Sequence, residues 1–362
     1  MLDPQSTFYS KYHVGSLQSY TDNRNDTLYF ELKRNVEAYM AQHDMKPRDI
    51  WWFDIEVLFF IIVTFVTYYL LLNTSNNNVL LSILYSILHG ISITFMITRT
   101  IHDCNHGGLT KKSSWKRYLF TFINEIFTTN QSWNSKHNLH HMHTNDIDKD
   151  PDVNQMFRLS YHQPLENHHF LQYIYVFFLY PFFTLSQISG YRYVADNEAE
   201  PIHKLYRPIA KIILVIIILL AIRFNKLSYW LLAMLISGFY LSIVFTVSHN
   251  IDYLTDQHRN TNSFMEEQLT STTDYNPGSY VTNFITHGLN HQTIHHLFPS
   301  INYHHYPALT QHVLIPFCKK HNLTYHGEGI SFSQLLYRHV VSLYRWGTQN
   351  PQQNQFNAKH HL

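Results

Sequence analysis

Residues 79–106 read VLLSILYSILHGISITFMITRTIHDCNH, and the fold class turns on this stretch. Its first part, Val79 to Thr100, has the length and apolar character that an α-helix of roughly 20 residues needs to cross a bilayer. Its last five residues are His102-Asp103-Cys104-Asn105-His106. Residues at i and i+4 share one face of a helix, with Cβ atoms about 5–6 Å apart. If the span runs on past the lipid, His102 and His106 form a two-nitrogen ridge just above it.

The neighbouring sequence repeats the theme. Trp51 to Leu72 is a second membrane-length run, and only Asn73-Thr74-Ser75-Asn76-Asn77-Asn78 separates it from Val79, so the two read as a transmembrane hairpin. Ile209–Phe224 and Leu227–Val247 form another pair, turned at Asn225-Lys226. Phe170–Leu185 is apolar and aromatic too, but if it crossed, the histidine clusters would fall on opposite sides of the membrane. It is therefore predicted to be embedded or interfacial without spanning. Leu119–Phe127 is amphipathic and reads as interfacial.

Charge supports this map. The 101–169 segment holds Lys111, Lys112, Lys116, Arg117, Lys136, Lys149 and Arg158, whereas the 73–78 turn has no Lys or Arg, which places the former in the cytosol. The expected fold is an all-α membrane protein: four transmembrane helices in two hairpins, with both termini and a histidine-rich cap in the cytosol. A polar arm (1–50), a membrane domain (51–315) and a tail (316–362) follow as divisions. Gln349-Asn350-Pro351-Gln352-Gln353-Asn354-Gln355 in the tail is of low complexity and predicted disordered.

Composition agrees with a lipid environment. Charged residues are 14% and aromatics 16% of the chain, and the mildly negative mean hydropathy averages apolar spans with stretches rich in His, Asn and Gln. A net charge of +1 leaves no nucleic-acid footprint. The first fifty residues lack the apolar core of a cleavable signal peptide. Two cysteines, Cys104 and Cys318, cannot build a disulfide framework or a tetrathiolate site. Cys104 points away from the His102/His106 face and reads as a small buried hydrophobe.

Two more clusters follow the first: His137-Asn138-Leu139-His140-His141, with His143 beyond, and His291-Gln292-Thr293-Ile294-His295-His296. The chain has 27 His in 362 residues, so about 0.15 chance matches to His-x-x-His-His are expected along it. The ordered combination of three clusters carries the reading, not any one of them. Adjacent residues on a helix point about 100° apart, so His140 and His141 can serve two metals. His249, at the end of the last span, adds a nitrogen at the same face. Imidazoles without thiolates suit a first-row metal that keeps room for oxygen or water, and His102, His106, His137, His140, His141, His249, His295 and His296 are more than one ion can use.

Other residues are read more plainly. Glu166-x-x-His169 and Glu200-x-x-His203 lie in polar connections and are taken as coincidental rather than as di-iron carboxylate motifs. His162, His168, His203, His258, His339, His360 and His361 read as solvated. His89 lies within a span, where a functional role competes with a neutral imidazole bonded between helices. Asp103, Asn138, Asp146, Asp150 and Asn250 flank the clusters and are candidates for orienting imidazoles.

Taken together, His102-Asp103-x-x-His106, His137-x-x-His140-His141, Ser248-His249-Asn250 and Gly288-Leu289-Asn290-His291-Gln292-x-x-His295-His296-Leu297-Phe298-Pro299 closely resemble the membrane fatty-acid desaturase family. The resemblance implies a cytosolic di-iron centre on these histidines, an acyl tunnel and an oxygen-dependent dehydrogenation of an acyl chain. It implies too that Asn250 helps hold a metal-bound water. Gln292 at the head of the third box resembles the front-end members, which place a double bond between an existing one and the carboxyl end. His287 and His291 depart from the family pattern of Gly and an aromatic residue, and either could take over ligation from Gln292.

The resulting expectation is a membrane-bound desaturase of an acyl-lipid or acyl-CoA, using two iron ions and O2. With no haem or flavin motif in the chain, electrons would come from a separate cytochrome b5 or ferredoxin. The membrane would be the endoplasmic reticulum in a eukaryote and the plasma membrane in a bacterium. A lipid hydroxylase on the same scaffold, or a membrane metal-binding protein without turnover, are the competing readings.

Overall fold

The computed structural model describes residues 26–111, 114–153, 156–188, 201–255 and 263–349; among them every regular element is helical. We number the helices that matter as α1 (Thr27–Gln42), α2 (Trp51–Asn73), α3 (Val79–His106), α4 (Trp115–Phe127), α5 (Asn130–Met142) and α6 (Asn167–Ile188). They continue as α7 (Pro201–Arg223), α8 (Leu227–Thr246), α9 (Phe264–Ser271), α10 (Tyr280–Thr286), α11 (Gln292–Leu297), α12 (306–320) and α13 (Phe332–Thr348). Polar side chains start several of them: Asp26 accepts the Tyr29 N–H at 3.0 Å, Asn78 that of Leu81 at 3.0 Å, and Ser331 and Gln334 form a reciprocal capping box.

Among the described residues, five helices are long and apolar enough to cross a membrane: α2, α3, α6, α7 from Leu205 onward, and α8. α6 is among them, whereas the sequence predicts this segment to be embedded without spanning. α3 and α8 are the inner pair. A Cβ on Gly90 of α3 would stand 2.5 Å from the Ala233 carbonyl of α8, so only glycine permits this crossing. Thr94 donates to Ser237 across it at 3.0 Å. α2 and α7 stand outside them. On α7, Ala210, Leu214, Ile217 and Ala221 form a buried stripe at helical spacing, while Ile209, Ile212, Val215, Ile216 and Leu219 are exposed, as a helix between protein and lipid requires. His89 is buried, with Nδ1 3.1 Å from the Thr67 hydroxyl, so the interhelical reading holds for it.

α6 is broken. It runs as a 3₁₀ turn, a helix over Gln172–Leu179, a second 3₁₀ turn at Tyr180–Phe182 containing Pro181, and a last helix over Phe183–Ile188. The break lies against α8: Ser242 donates to the Tyr180 carbonyl at 3.1 Å, Thr184 donates to Ser237 at 3.1 Å, and a Cβ on Gly238 would stand 2.0 Å from the Pro181 carbonyl. Thus α6 descends antiparallel to α8 only as far as the middle of that helix. The first turns of α7 rest on α4, on the histidine face, through Tyr206–Thr121 and Arg207–Glu125, both at 3.0 Å.

At that face Arg99, fully buried, pairs with Glu56 of α2 and faces four aromatic rings, those of Phe60, Phe95, Phe284 and Tyr303. Tyr303 and His304 reach the same carboxylate at 2.7 and 3.0 Å. Packing does not stop at residues 51 and 315. Tyr29, Leu32, Val36 and Met40 of α1 join the main core, and Leu335, Leu343 and Trp346 of α13 join a second cluster with Val176 and Tyr180 of α6. The low-complexity stretch of the tail lies outside the described residues apart from Gln349.

Candidate metal centre

The helix that ends at the first box is not α-helical throughout. Residues Thr98–His102 form a π turn, followed by a last turn at Asp103–His106 that closes on Gly107 in the left-handed region, φ 80°. His102 and His106 still share a face, ring centroids 4.9 Å apart. α5 brings the second box opposite them, and α11 the third.

The histidines fall into two groups. His102, His106, His137 and His295 have ring nitrogens within 4.8 Å of one another, and so do His140, His249 and His296. With metal–nitrogen bonds of roughly 2.0–2.1 Å, two ligands on one ion stand about 3–4 Å apart, so small movements would close either set. His141 sits between the groups: its Nε2 is 3.1 Å from that of His137, and its ring stacks on His296 at 4.1 Å. His140 and His141 therefore diverge as adjacent helical residues must.

Each group is oriented from outside. His140 Nδ1 donates to the buried Asp150 at 2.8 Å, and Asp150 is itself fixed by the backbone N–H groups of Asn145 and Asp152. His296 Nδ1 donates to Gln268 Oε1 at 2.9 Å. His102 Nδ1 lies 3.3 Å from Asp103, and His295 Nδ1 lies 3.1 Å from the Tyr306 hydroxyl. An Nδ1–H held by an outer acceptor leaves the Nε2 lone pair facing inward, the usual arrangement of ligating imidazoles. The further grouping of His140 with Asp150 and Asp152 is this support rather than a third centre.

Burial holds His137, His141, His295 and His296 well below the ordinary imidazole pKa, and neighbouring imidazoles push the same way. His249 is depressed to about 3 by burial and by His140. These rings are neutral, the form that binds metal. For His140 burial also lowers the pKa, but Asp150 and then Asp152 outweigh it and the net shift is upward. At the heart of the site His106 Nε2, His141 Nδ1, His249 Nδ1 and Gln292 Oε1 are buried without hydrogen-bond partners. Each such atom costs about 1–3 kcal/mol if left so. Four such atoms in and between the two groups, among imidazoles and with no thiolate, fit cations of the iron class.

A cavity of about 370 Å³ opens onto the second group. His140, His249 and His296 face it, with Leu179, Phe183 and Phe245 supplying apolar wall and the Lys136–Asp152 pair, 2.7 Å apart, at its rim. Trp133, stacked on His137 at 4.3 Å, lines both this cavity and a smaller pocket, as do Phe183, Gln187 and Phe245; Thr98, Ile101 and Leu241 line the smaller one alone.

Other candidates land differently. His291 is fully buried, and both ring nitrogens are used inside the protein: Nδ1 lies 3.0 Å from Asn283 Oδ1 and 2.9 Å from Asn290 Oδ1, while Nε2 accepts the Gly278 N–H at 3.0 Å. His287 caps α10 in the left-handed region, contacts Arg99 through Nδ1 and belongs to neither group. Gln292 is buried facing His249. Asn250 lines the cavity. Glu166 and His169 form a capping box at the start of α6, which accounts for their spacing. Cys104 is buried with Sγ toward the Arg117 carbonyl. His162 and His168 are exposed, but His339 is not: it is fully buried beneath Asn250, contrary to the solvated reading. Leu335, His339 and Leu343 recur every four residues on α13, and that apolar stripe is the signal that could have found it. His203, His258, His360 and His361 have no described side chains.

Comparison with known proteins places this arrangement. A family model described as fatty acid desaturase matches residues 77–329. The chain is 29% identical to Delta(5) fatty acid desaturase A of Dictyostelium discoideum, covering 96% of this chain and 81% of that protein. It is 28% identical to acyl-lipid (8-3)-desaturase B of the same organism, over 96% and 82%. It is also 26% identical to the sn-1 linoleoyl-lipid 6-desaturase of Arthrospira platensis, over 87% and 90%.

Proposed function

Since this chain belongs to the fatty acid desaturase family, we propose that its two histidine groups hold a pair of irons that dehydrogenate an acyl chain lying in the adjoining cavity. The observation that carries the reading is that the two buried groups lie side by side at one end of the inner helices, with the second facing a largely apolar cavity. The protein is an integral membrane oxidoreductase of lipid metabolism. The overall reaction removes one hydrogen from each of two neighbouring methylenes and reduces O2 to two waters, with two electrons and two protons supplied from outside. Bound iron would supply the oxygen chemistry that an unactivated C–H bond demands.

The chain's own residues do the rest. His102, His106, His137 and His295 would hold one ion and His140, His249 and His296 the other, with His141 between them. Asp103, Asp150, Gln268 and Tyr306 fix the ring orientations. Gln292 and Asn250 would face a water or outer contact on the second ion, and His291 would anchor the loop without ligating. The apolar walls exclude water and hold the acyl chain against His249 and His296. The relatives named Delta(5), (8-3) and 6-desaturases, with Gln292 at the head of the third box, favour insertion toward the carboxyl end of an acyl-lipid. A separate cytochrome b5 or ferredoxin would deliver the electrons.

For topology we propose four crossings, α2, α3, α7 and α8, with α6 entering the leaflet on the histidine face and leaving by it. Its register against the outer half of α8, and the return of α7 to α4, support this. So does the requirement that all boxes meet. Expression in yeast with mass spectrometry of the lipids tests the function. A new acyl species two hydrogens lighter is expected. A species heavier by one oxygen would make the protein a hydroxylase, and an unchanged profile with bound metal would leave only a binding protein.

A further inference from the structure

His339 belongs to α13, beyond the residues matched by the family model, yet it touches the centre's surroundings from two sides. Its Nδ1 donates to the backbone carbonyl of Asn250 at 2.8 Å, and its Nε2 lies 2.7 Å from the Tyr180 hydroxyl. A carbonyl only accepts, so Nδ1 carries the hydrogen. In the neutral ring Nε2 then offers a lone pair, and Tyr180 must be the donor.

One imidazole thus bridges two separate pieces of chain. The first is the turn after α8 that carries His249. The second is the broken bend of α6. Both bridged residues, Tyr180 and Asn250, line the cavity. The helix that carries the bridge is seated firmly: Ser342 Oγ accepts the Asp252 N–H at 3.0 Å, Gln172 donates to the Leu343 carbonyl at 2.8 Å, and a Cβ on Gly347 would stand 2.2 Å from the His169 carbonyl. The bend is tied to α8 by Ser242 and Thr184, which set its depth. The tie through His339 sets its separation from the His249 turn.

We propose that His339 is a positioning residue: through Tyr180 and Asn250 it fixes the gap between the α6 wall and the His249 turn, and so sets which carbon of a bound acyl chain lies beside the second histidine group. This rests on the acyl-desaturase reading of the site. Loss of the bridge loosens the wall and the turn together, so both product position and metal retention respond.

The test uses the full chain, with His339→Leu, His339→Gln, Tyr180→Phe and the double variant Tyr180→Phe/His339→Leu. Double-bond position is read by mass spectrometry of yeast lipids per unit of folded protein, and iron release to a chelator is followed on detergent-purified protein. Support of this kind typically matters about 10–100-fold. His339→Leu should lose one of two iron equivalents about tenfold faster and spread the double bond over neighbouring positions. Tyr180→Phe should reproduce the spread. Gln, which can donate at Nε2 and accept at Oε1, should restore both properties, and the double variant should be no worse than His339→Leu alone. Unchanged product position and chelator kinetics in His339→Leu and Tyr180→Phe would overturn the proposal. So would multiplying effects in the double variant, or a Gln variant no better than Leu. If the unaltered chain forms no double bond, the desaturase reading falls, and the chelator comparison still decides the bridge.

Discussion

Asp150→Asn is the sharpest perturbation of the second histidine group. Asp150 is 1% exposed and accepts three hydrogen bonds: His140 Nδ1 at 2.8 Å, the Asn145 N–H at 2.6 Å and the Asp152 N–H at 2.8 Å. An amide presents an NH₂ where the carboxylate presents an oxygen, so at least one donor is left facing another donor. A hydrogen bond to a charged group contributes about 1.5–3 kcal/mol. At about 1.4 kcal/mol per factor of ten, losing one predicts a roughly tenfold to hundredfold weaker hold on one iron. That agrees with the usual effect of removing a carboxylate behind a ligating histidine, about 10–100-fold. Asp152→Asn is the control, because Asp152 lies 3.7 Å from His140 and its side chain is 40% exposed. The assay is iron per folded protein across a chelator series, with desaturation measured on the same samples. Asp150→Asn protein that keeps both irons at the original affinity would refute the reasoning, as would an equal effect from Asp152→Asn.

Three further outcomes are expected. Single cysteines at Asn76 and Lys319, both exposed, should label from opposite sides of sealed vesicles over a low background, since Cys104 and Cys318 are buried; labelling from one side would break the four-crossing topology. His291→Phe strands the Gly278 N–H and the Asn283 side chain, so it should cost about 1–3 kcal/mol of stability while iron per folded protein stays constant; loss of iron from well-folded protein would make His291 a ligand. Burial raises the Asp274 carboxyl to about 6, against the donors Thr293 and Tyr325. A pKa raised by folding gives stability that is full below about 4 and lost as pH rises through about 6. Asp274→Asn should flatten the melting temperature across that window, and an unchanged slope would show that another group titrates there.

Spans and boxes were legible because each obeys a period: apolar runs of membrane length, and imidazoles at i and i+4 on helices. The divergence of His140 and His141 was legible for the same reason, but the split that the structure makes, with His137 in one group, His140 in the other and His141 between them, was not. The π turn at Thr98–His102 left no trace, because an extra residue in a helical turn has no compositional mark. Asp150 could not be told from Asp146 or Asp152 by spacing, because a loop sets which carboxylate reaches His140. The roles of His291 and His339 depend on acceptors distant in the chain, Asn283 for the one and Asn250 with Tyr180 for the other. No local pattern encodes such meetings.

The break in α6 bears on how the protein is made. Backbone at the Tyr180–Phe182 turn is irregular, and lipid tolerates irregular backbone only where protein satisfies it. What satisfies it here is α8: the Ser242 hydroxyl on the Tyr180 carbonyl and the bare face of Gly238 against Pro181. Yet α8 is synthesised some forty residues after α6. On the four-crossing topology proposed above, the segment would therefore wait at the membrane surface until α7 and α8 have inserted. Only then would it sink into its slot, which would make closure of the cavity a late step of biogenesis.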